Sequence, residues 1–232
     1  MNTSTKIKEK YLFFVGYPRA GSTLLGQIIN SHPNCLVSNE FRALDSIIKD
    51  SRNIDDVMSA AAEDAQKLFK AGLENHKNYN INKFQGKWKS TDFLYNNTLF
   101  KKRDIKLIGD KKAGSTTKLY SSHKNEFLKF LKLHPDILFI KIERDIESTC
   151  QSYVKSHPHE AKDLVSAREK ILDLDNKSNQ FLDMIKKDCK YIIKYEKLIN
   201  SPKLEISNIF KWLELDHSPE IIEPISKLVC KN

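Results

Sequence analysis

Short apolar runs alternate with longer stretches of helical periodicity along most of the chain. The apolar runs predict strands over residues 11–16, 35–38, 105–109, 137–142 and 191–193. Apolar residues that recur every three or four positions predict helices over 22–31, 41–49, 54–76, 126–133, from 146 through 154, 160–187 with a break near 173–176, 202–213 and 219–229. Strands that alternate with helices favour a parallel sheet covered on both faces. We therefore predict an α/β fold with about four or five parallel strands flanked by helices.

Two segments lack either pattern. Residues 1–10 are polar and are predicted to form a leader without regular structure. Residues 77–103 mix asparagine, lysine and aromatic residues without a steady period, which predicts an irregular insertion over the edge of the sheet. Its aromatic residues can form a satellite core or line a substrate pocket. Because no internal repeat or linker is visible, we predict a single domain over residues 1–232.

The first strand leads into a glycine-containing loop and then into a helix. The segment from Tyr11 to Asn30 reads YLFFVGYPRAGSTLLGQIIN. This layout directs backbone N–H groups and the positive end of a helix at an anion. Gly16 and Gly21 have the spacing of the triphosphate-binding pattern G-x-x-x-x-G-K-[ST], but Ser22 stands where that pattern has its lysine. The cation is instead Arg19, inside the loop, so we predict a P-loop-type nucleotide site that departs from the triphosphate-binding pattern.

The sequence PRAGSTLL from Pro18 to Leu25 resembles the PRSGTTLL-type loop of sulfotransferases. That loop holds the 5′-phosphosulfate of 3′-phosphoadenosine 5′-phosphosulfate (PAPS). The longer segment, with His32-Pro33, Glu40 and Arg42, is similar to the tyrosylprotein sulfotransferase branch and its bacterial relatives. The resemblance implies donor contacts from Arg19, Ala20, Gly21, Ser22, Thr23 and Leu24.

Later patches of the chain match the same family. Arg144 follows an apolar strand and Ser152 lies eight residues further on, as in the family's 3′-phosphate site. The alternative is that Arg144 pairs with Asp145 or Glu147. Tyr195, in the sequence KYEKL, resembles a tyrosine that approaches the adenosine of the donor. The alternative is that Tyr195 packs at the end of a strand.

Catalytic roles for Glu40 and Lys111 are also implied by the resemblance. Glu40 matches the catalytic carboxylate of the tyrosylprotein branch, and a hydroxyl that attacks sulfur must lose a proton. The alternative is that Glu40 caps a helix beginning at Phe41. Lys111 matches the lysine that meets the bridging oxygen of the leaving phosphate, although the sequence leaves open whether Lys111 or Lys112 points inward. Arg42 can touch the acceptor or lie on the surface.

The predicted reaction moves a sulfuryl group from PAPS to an acceptor hydroxyl and releases 3′-phosphoadenosine 5′-phosphate (PAP). The acceptor is a small molecule or a peptide, and no metal is expected because protein cations suffice. Two departures put donor affinity in question: Ser156 stands where the branch has a second arginine, and the branch's final nucleotide-covering segment has no equivalent. Two alternatives remain open, a P-loop kinase that holds magnesium through Asp110, and a family member that binds nucleotide without turnover.

Composition narrows the class of partner. The chain has 39 Lys and Arg against 30 Asp and Glu, a formal charge of +9, which would steer an anionic nucleotide towards it. No nucleic-acid-reading motif is visible, so no nucleic-acid partner is predicted. The four cysteines show no paired spacing and are expected to be reduced. Because the polar start MNTSTKIKEK and the short apolar run after it predict neither a signal peptide nor a membrane span, we expect a cytoplasmic monomer or homodimer.

Overall fold

The computed structural model describes residues 9–74 and 102–229. A parallel sheet of five strands lies at its centre, in the order β2-β3-β1-β4-β5. The strands are β1 (Lys10–Val15), β2 (Cys35–Asn39), β3 (Leu107–Lys111), β4 (Leu138–Glu143) and β5 (Lys190–Lys194). Helices flank the sheet, so the predicted α/β class is confirmed.

Ten helices connect or follow these strands within the described ranges. They are α1 (Ser22–Ser31), α2 (Ala43–Ile48), α3 (Ile54–Glu74), α4 (Ala113–Ser122), α5 (Lys124–Leu133), α6 (Ile146–Ser156), α7 (Leu164–Asp183), α8 (Tyr195–Asn200), α9 (Pro202–Trp212) and α10 (Pro219–Val229). A 3₁₀ turn at Lys187–Cys189 precedes β5. No helix of the described ranges is long and apolar enough to cross a bilayer.

The core lies around the central strand β1 and its neighbour β4. Leu12 to Val15 of β1 are at most 1% exposed, and Phe13 is paired with Phe139 of β4 in the ladder. A central parallel strand is covered by helices on both faces, which is why its sequence is a continuous apolar run without alternation. The rings of Phe139, Phe127 and Phe181 pack edge to face under the helices. These contacts fix the sheet on which the polar loops are mounted.

The sequence placed a helix break and a strand end wrongly, and in both places the structure buries a lysine. The predicted break near 173–176 is absent, and α7 is continuous. Asp175 in that stretch accepts a hydrogen bond at 2.7 Å from Nζ of Lys141, a fully buried residue of β4. The third strand ends at Lys111, two residues later than predicted, so Lys111 belongs to the strand.

Further boundaries also differ from the predictions. Helix α4, with the sequence AGSTTKLYSS, was not predicted because its buried face contains Thr116 and Thr117 in place of aliphatic residues. Lys10, assigned to the leader, is part of β1. The rest of the leader up to residue 8, and residues 75–101 of the predicted insertion and helix end, lie outside the described ranges. Lys102, at the end of that insertion, is anchored, and its Nζ donates to the carbonyl of His32 at 2.9 Å.

Candidate active site

The five parallel strands all end at the same edge of the sheet, where four of them are followed by or end in a polar residue and β1 leads into a loop. β1 leads into the loop that begins at Gly16, and Lys111 is the last residue of β3. Glu40 directly follows β2, while Arg144 and Tyr195 directly follow β4 and β5. The strand order therefore places them along the edge in the sequence Glu40, Lys111, loop, Arg144, Tyr195. The carboxyl edge of a parallel sheet is where α/β proteins bind ligands.

The loop after β1 is anchored at two points. Gly16 donates its N–H to the hydroxyl of Thr117 at 3.0 Å, and that hydroxyl donates to the Gly16 carbonyl at 2.7 Å. The buried Tyr17 donates its hydroxyl to the carbonyl of Arg144 at 3.1 Å and accepts from the Arg144 N–H at 3.0 Å. Burial raises the pKa of Tyr17 to about 12, so the phenol keeps its proton. The loop is thus fixed to α4 on one side and to the end of β4 on the other.

The loop ends at the amino terminus of α1, which is open to a ligand. Gly21 precedes the helix with φ of 109°, and its side-chain-free Cα faces Tyr195. A Cβ at this position would lie 2.7 Å from Cδ2 of Tyr195, so only glycine fits. Helix α1 has no side-chain cap and no acidic residue in its first turn. Backbone N–H groups at Ser22 and Thr23 are therefore available to an anion, while Ala20 is buried and Leu24 packs partly against the core.

Two arginines lie together beside this helix end. Nε of Arg19 donates to Oγ of Ser152 at 3.0 Å, and Nη1 of Arg144 donates to the Arg19 carbonyl at 3.4 Å. The Arg144 guanidinium lies 4.6 Å from the centre of the Tyr195 ring. Burial and the neighbouring charge of Arg144 lower the pKa of Arg19. Across the described ranges no carboxylate pairs with either guanidinium.

The alternative pairing of Arg144 with its acidic neighbours is wrong. Asp145 caps α6 by accepting the N–H of Ser148 at 2.8 Å. Glu147 forms its ion pair with Arg168 of α7. Neither carboxylate forms a close ion pair with Arg144 in the part of the chain that the structure describes, although the Arg144 charge contributes to the lowered pKa of Asp145.

Glu40, by contrast, is tightly paired. Its Oε1 lies 3.2 Å from Nζ of Lys111, and its Oε2 lies 2.6 Å from Nζ of Lys112. Lys111 also donates to Oγ1 of Thr23 at 3.3 Å, so it bridges the first turn of α1 and Glu40. Burial opposes ionisation of Glu40, but the two lysines outweigh it and lower the pKa of the carboxyl. Lys111 is the inward residue, since its side chain is 7% exposed against 27% for Lys112.

Asp110 holds the backbone that carries Glu40. Its carboxylate accepts from the N–H groups of Phe41 at 3.1 Å and Ala43 at 2.7 Å, and from the hydroxyl of Ser38 at 3.2 Å. The amino end of α2 is therefore satisfied by Asp110, and the alternative in which Glu40 caps a helix at Phe41 is wrong. Burial raises the pKa of Asp110, although these hydrogen bonds oppose the rise.

Arg42 lies close to Glu40 in the chain but belongs to a different contact. Its guanidinium forms an ion pair with Asp45 at 3.3 Å. Both Glu40 and Arg42 have a φ of 67°, in the left-handed region that side chains other than glycine rarely adopt. The hydrogen bonds to Asp110 hold this backbone in place.

The chain matches the model of the Sulfotransferase family over residues 12–219 of its 232. The chain belongs to the sulfotransferase family. It is an enzyme of sulfuryl transfer, as the loop sequence predicted. The match spans the described loop, both arginines and Tyr195, so the whole edge of the sheet lies within the family region.

Solved sulfotransferase structures share the fold of this sulfotransferase. The sulfotransferase domain from the curacin biosynthetic pathway is 15% identical with a TM-score of 0.53, and the match covers 94% of this chain and 78% of that one. The Alicyclobacillus acidocaldarius sulfotransferase is 11% identical with a TM-score of 0.51, at 94% and 90% coverage. The sulfotransferase domain of the Synechococcus olefin synthase is 15% identical with a TM-score of 0.51, at 97% and 80% coverage. A comparison with curated proteins returns no match.

The sulfotransferase assignment fits the site better than the kinase alternative does. That alternative needs a loop lysine, where this chain has Ser22, and a free carboxylate for magnesium. Asp110 was the candidate carboxylate, but it is 2% exposed and its oxygens accept from backbone and hydroxyl groups. The kinase reading therefore lacks both of its required groups at these positions.

Two residues of the sulfotransferase site were not found from the sequence. Tyr17 and Thr117 both anchor the loop, and neither chemistry nor spacing distinguishes them from ordinary polar residues. Tyr17 contacts a residue 127 positions later, and Thr117 one 101 positions earlier. Such partners can be read only from the folded chain.

Proposed function

We propose that this sulfotransferase takes its sulfuryl group from PAPS and transfers it to the hydroxyl of a small molecule or a peptide. The observation that carries this proposal is the pair formed by Arg19 and Arg144 at the open end of α1. Two adjacent guanidinium groups without a carboxylate, in the described part of the chain, favour a ligand with more than one anionic group. PAPS carries a phosphate on each side of its ribose.

Each part of the donor has a matching group along the edge of the sheet. The N–H groups at the start of α1, together with Arg19, suit the 5′-phosphosulfate. Arg144 and Ser152 suit the 3′-phosphate, and Ser152 is already held by Arg19 at 3.0 Å. The resemblance assigns Tyr195 to the adenosine, and its ring lies beside Gly21 and 4.6 Å from the Arg144 guanidinium. These assignments follow the sulfotransferase resemblance and are consistent with the observed positions.

The transfer step assigns one role to each group on the β2–β3 side. Glu40 takes the proton of the acceptor hydroxyl as the oxygen–sulfur bond forms. The bond between sulfur and the bridging oxygen of the donor breaks, its electron pair stays on that oxygen, and PAP leaves. Lys111, held near the loop through Thr23, offsets the negative charge that develops there. We propose no metal in this step, because the described cations can balance the charge.

Thermal stability with added nucleotides tests the donor. PAP at 100 times its dissociation constant should stabilise the protein by about 2.7 kcal/mol and raise the melting temperature by about 5–10 °C. ATP with magnesium should raise it less, because Ser22 replaces the loop lysine. A larger shift with ATP–magnesium than with PAP would contradict the proposal.

A panel of acceptors with labelled PAPS tests the transfer itself. The panel includes phenols, tyrosine peptides, sugars and aliphatic alcohols, and transfer to one of them identifies the acceptor class. PAP binding without transfer to any member would favour the alternative of a nucleotide-binding protein without turnover. The single-domain organisation, the monomeric or homodimeric state, the cytoplasmic location and the absence of a nucleic-acid partner stay predictions.

A further inference from the structure

The two oxygens of Glu40 are held by lysines that have different surroundings. Lys111 contacts Oε1 of Glu40 at 3.2 Å and at the same time donates to Oγ1 of Thr23 in the first turn of α1. Lys112 contacts Oε2 at 2.6 Å, and in the described contacts its ammonium touches only Glu40. One lysine is therefore shared between the two halves of the site, while the other serves the carboxylate alone.

The proposed transfer gives these two lysines different tasks. Lys111 is required at the bridging oxygen of the donor, while Glu40 must present one oxygen to the acceptor hydroxyl. Once Lys111 moves its hydrogen bond from Oε1 to the donor, that oxygen becomes free to accept the proton. The other oxygen, Oε2, stays bound to Lys112. The carboxylate is then held by one oxygen and reactive at the other.

We propose that Lys112 is a positioning residue, which orients Glu40 through Oε2 and keeps it ionised when the anionic donor is bound. This inference rests on the proposed role of Glu40 as the base. It assigns to the second lysine of the Lys111–Lys112 pair a task separate from that of the first.

The electrostatic part of the inference follows from the charges around Glu40. A bound donor brings several negative charges to the edge of the sheet, and nearby negative charge favours the protonated form of a carboxyl. Lys111 of β3 is then shared with the donor, Arg42 on the same loop is paired with Asp45 of α2, and Asp110 is engaged by backbone N–H groups. Lys112 is the cation left to oppose protonation of Glu40 among these described neighbours.

The backbone places Lys112 close to the loop that carries Glu40. The N–H of Glu40 donates to the carbonyl of Lys111 at 3.1 Å, so the loop after β2 is bonded to the end of β3. Lys112 is the residue immediately before α4 and its side chain is 27% exposed. The backbone of Lys112 therefore stands at the start of α4, while its ammonium contacts Glu40.

The pH dependence of turnover tests this inference in Lys112→Gln, Lys112→Arg and the matched control Lys118→Gln. Lys118 is an exposed lysine on the same helix α4. Turnover is measured with PAPS and the fastest acceptor of the panel. On the acid side of the pH–rate profile, turnover of Lys112→Gln should be about tenfold below that of wild type, and the difference should be smaller at pH 8. The KM for PAPS should be nearly unchanged. Lys112→Arg should restore the acid limb, and Lys118→Gln should match wild type.

A titration of the Glu40 carboxyl carbon by NMR, in PAP-bound protein, separates the possible failures. The inference is supported if, in Lys112→Gln, both the pKa of Glu40 and the midpoint of the acid limb of the pH–rate profile shift to higher pH. If neither moves while Glu40→Gln is inactive, Lys112 has no positioning role and the proposed function stands. If the titration moves but Glu40→Gln keeps wild-type turnover, Glu40 is not the base, and the inference fails together with that part of the proposed function.

Discussion

The two halves of the site hold their positive charges in opposite ways. On the β1–β4–β5 side, Arg19 and Arg144 lie together without a carboxylate in the described ranges, and burial with the neighbouring arginine lowers the pKa of Arg19. On the β2–β3 side, Lys111 and Lys112 share one carboxylate, Glu40, whose pKa they lower. The positive charges on the first side have no paired carboxylate in the described ranges, while those on the second side are partly neutralised by Glu40.

Under the proposed function, the arginines on the β1–β4–β5 side (the arginine side) bind the donor, and Glu40 on the β2–β3 side (the carboxylate side) takes the proton. Like charges held together are unfavourable, and an anion that enters between them gains binding energy from the relief. A carboxylate between two ammonium groups is instead ionised before any ligand binds. Both of its oxygens are already hydrogen-bonded to lysines. In the proposed transfer step, Lys111 moves its hydrogen bond from Glu40 to the bridging oxygen of the donor.

The largest expected effect is a loss of turnover when the carboxylate of the β2–β3 side is replaced. Glu40→Gln keeps the shape of the side chain but cannot take a proton, so turnover should fall about 10²–10⁴-fold. The PAP-induced shift in melting temperature should stay the same, because the arginine side is untouched. Steady-state rates and thermal shifts measure the two outcomes.

The matched control for this change is Glu223→Gln. Glu223 is a surface carboxylate paired with Lys203 at 2.9 Å and should have no effect on turnover. Wild-type turnover in Glu40→Gln would show that the base is not on the β2–β3 side as proposed. His32 would not be a substitute, because it ends α1 about 15 Å along the helix from the loop, where burial lowers its pKa to about 4.

A smaller effect is expected on the arginine side, and it concerns binding. Arg144→Ala should weaken PAP by roughly 10–150-fold, which corresponds to a charge-assisted hydrogen bond of about 1.5–3 kcal/mol. Adenosine 5′-phosphate should be weakened much less, because it has no 3′-phosphate. Calorimetric titration of both nucleotides measures the contrast.

The control for Arg144 is Arg168→Ala. Arg168 is an exposed arginine that is already paired with Glu147, so its loss should leave both nucleotides unaffected. Equal weakening of PAP and adenosine 5′-phosphate by Arg144→Ala would show that Arg144 does not read the 3′-phosphate. The arginine side would then bind the nucleotide through a feature that both ligands share.

The smallest expected effect is on stability, and only the carboxylate side should show it. The folded-state pKa of Glu40 is lowered from 4.5, so its contribution is present above that pH and is lost as the pH falls through the folded-state value. Because the side chain is 50% exposed, the contribution should stay below about 1 kcal/mol. Denaturant unfolding of wild type and Glu40→Gln from pH 3 to 7 should show a difference that grows with pH. A constant difference would contradict the pairing.

Much of the fold was predictable because its information is local. A buried parallel strand is a continuous apolar run, and a helix repeats its apolar residues every three or four positions, so both can be read within a few residues. The glycine spacing of the loop at Gly16 and Gly21 is equally local, and so is the absence of its lysine at Ser22. Strand ends followed by Glu40, Arg144 and Tyr195 placed these residues at one edge once the sheet was known to be parallel. Helix α4 was missed because its buried threonines break the aliphatic pattern.

Only the tertiary structure decided which residues form hydrogen bonds and ion pairs with the polar residues at this edge. Asp110 looked like a metal ligand in the sequence, and the fold shows it holding the N–H groups of Phe41 and Ala43. The choice between Lys111 and Lys112 followed from burial, and both proved to contact Glu40. The physical reason is that hydrogen bonds and ion pairs depend on distance in space. In this fold the atoms that meet come from strands that are neighbours in the sheet and far apart along the chain.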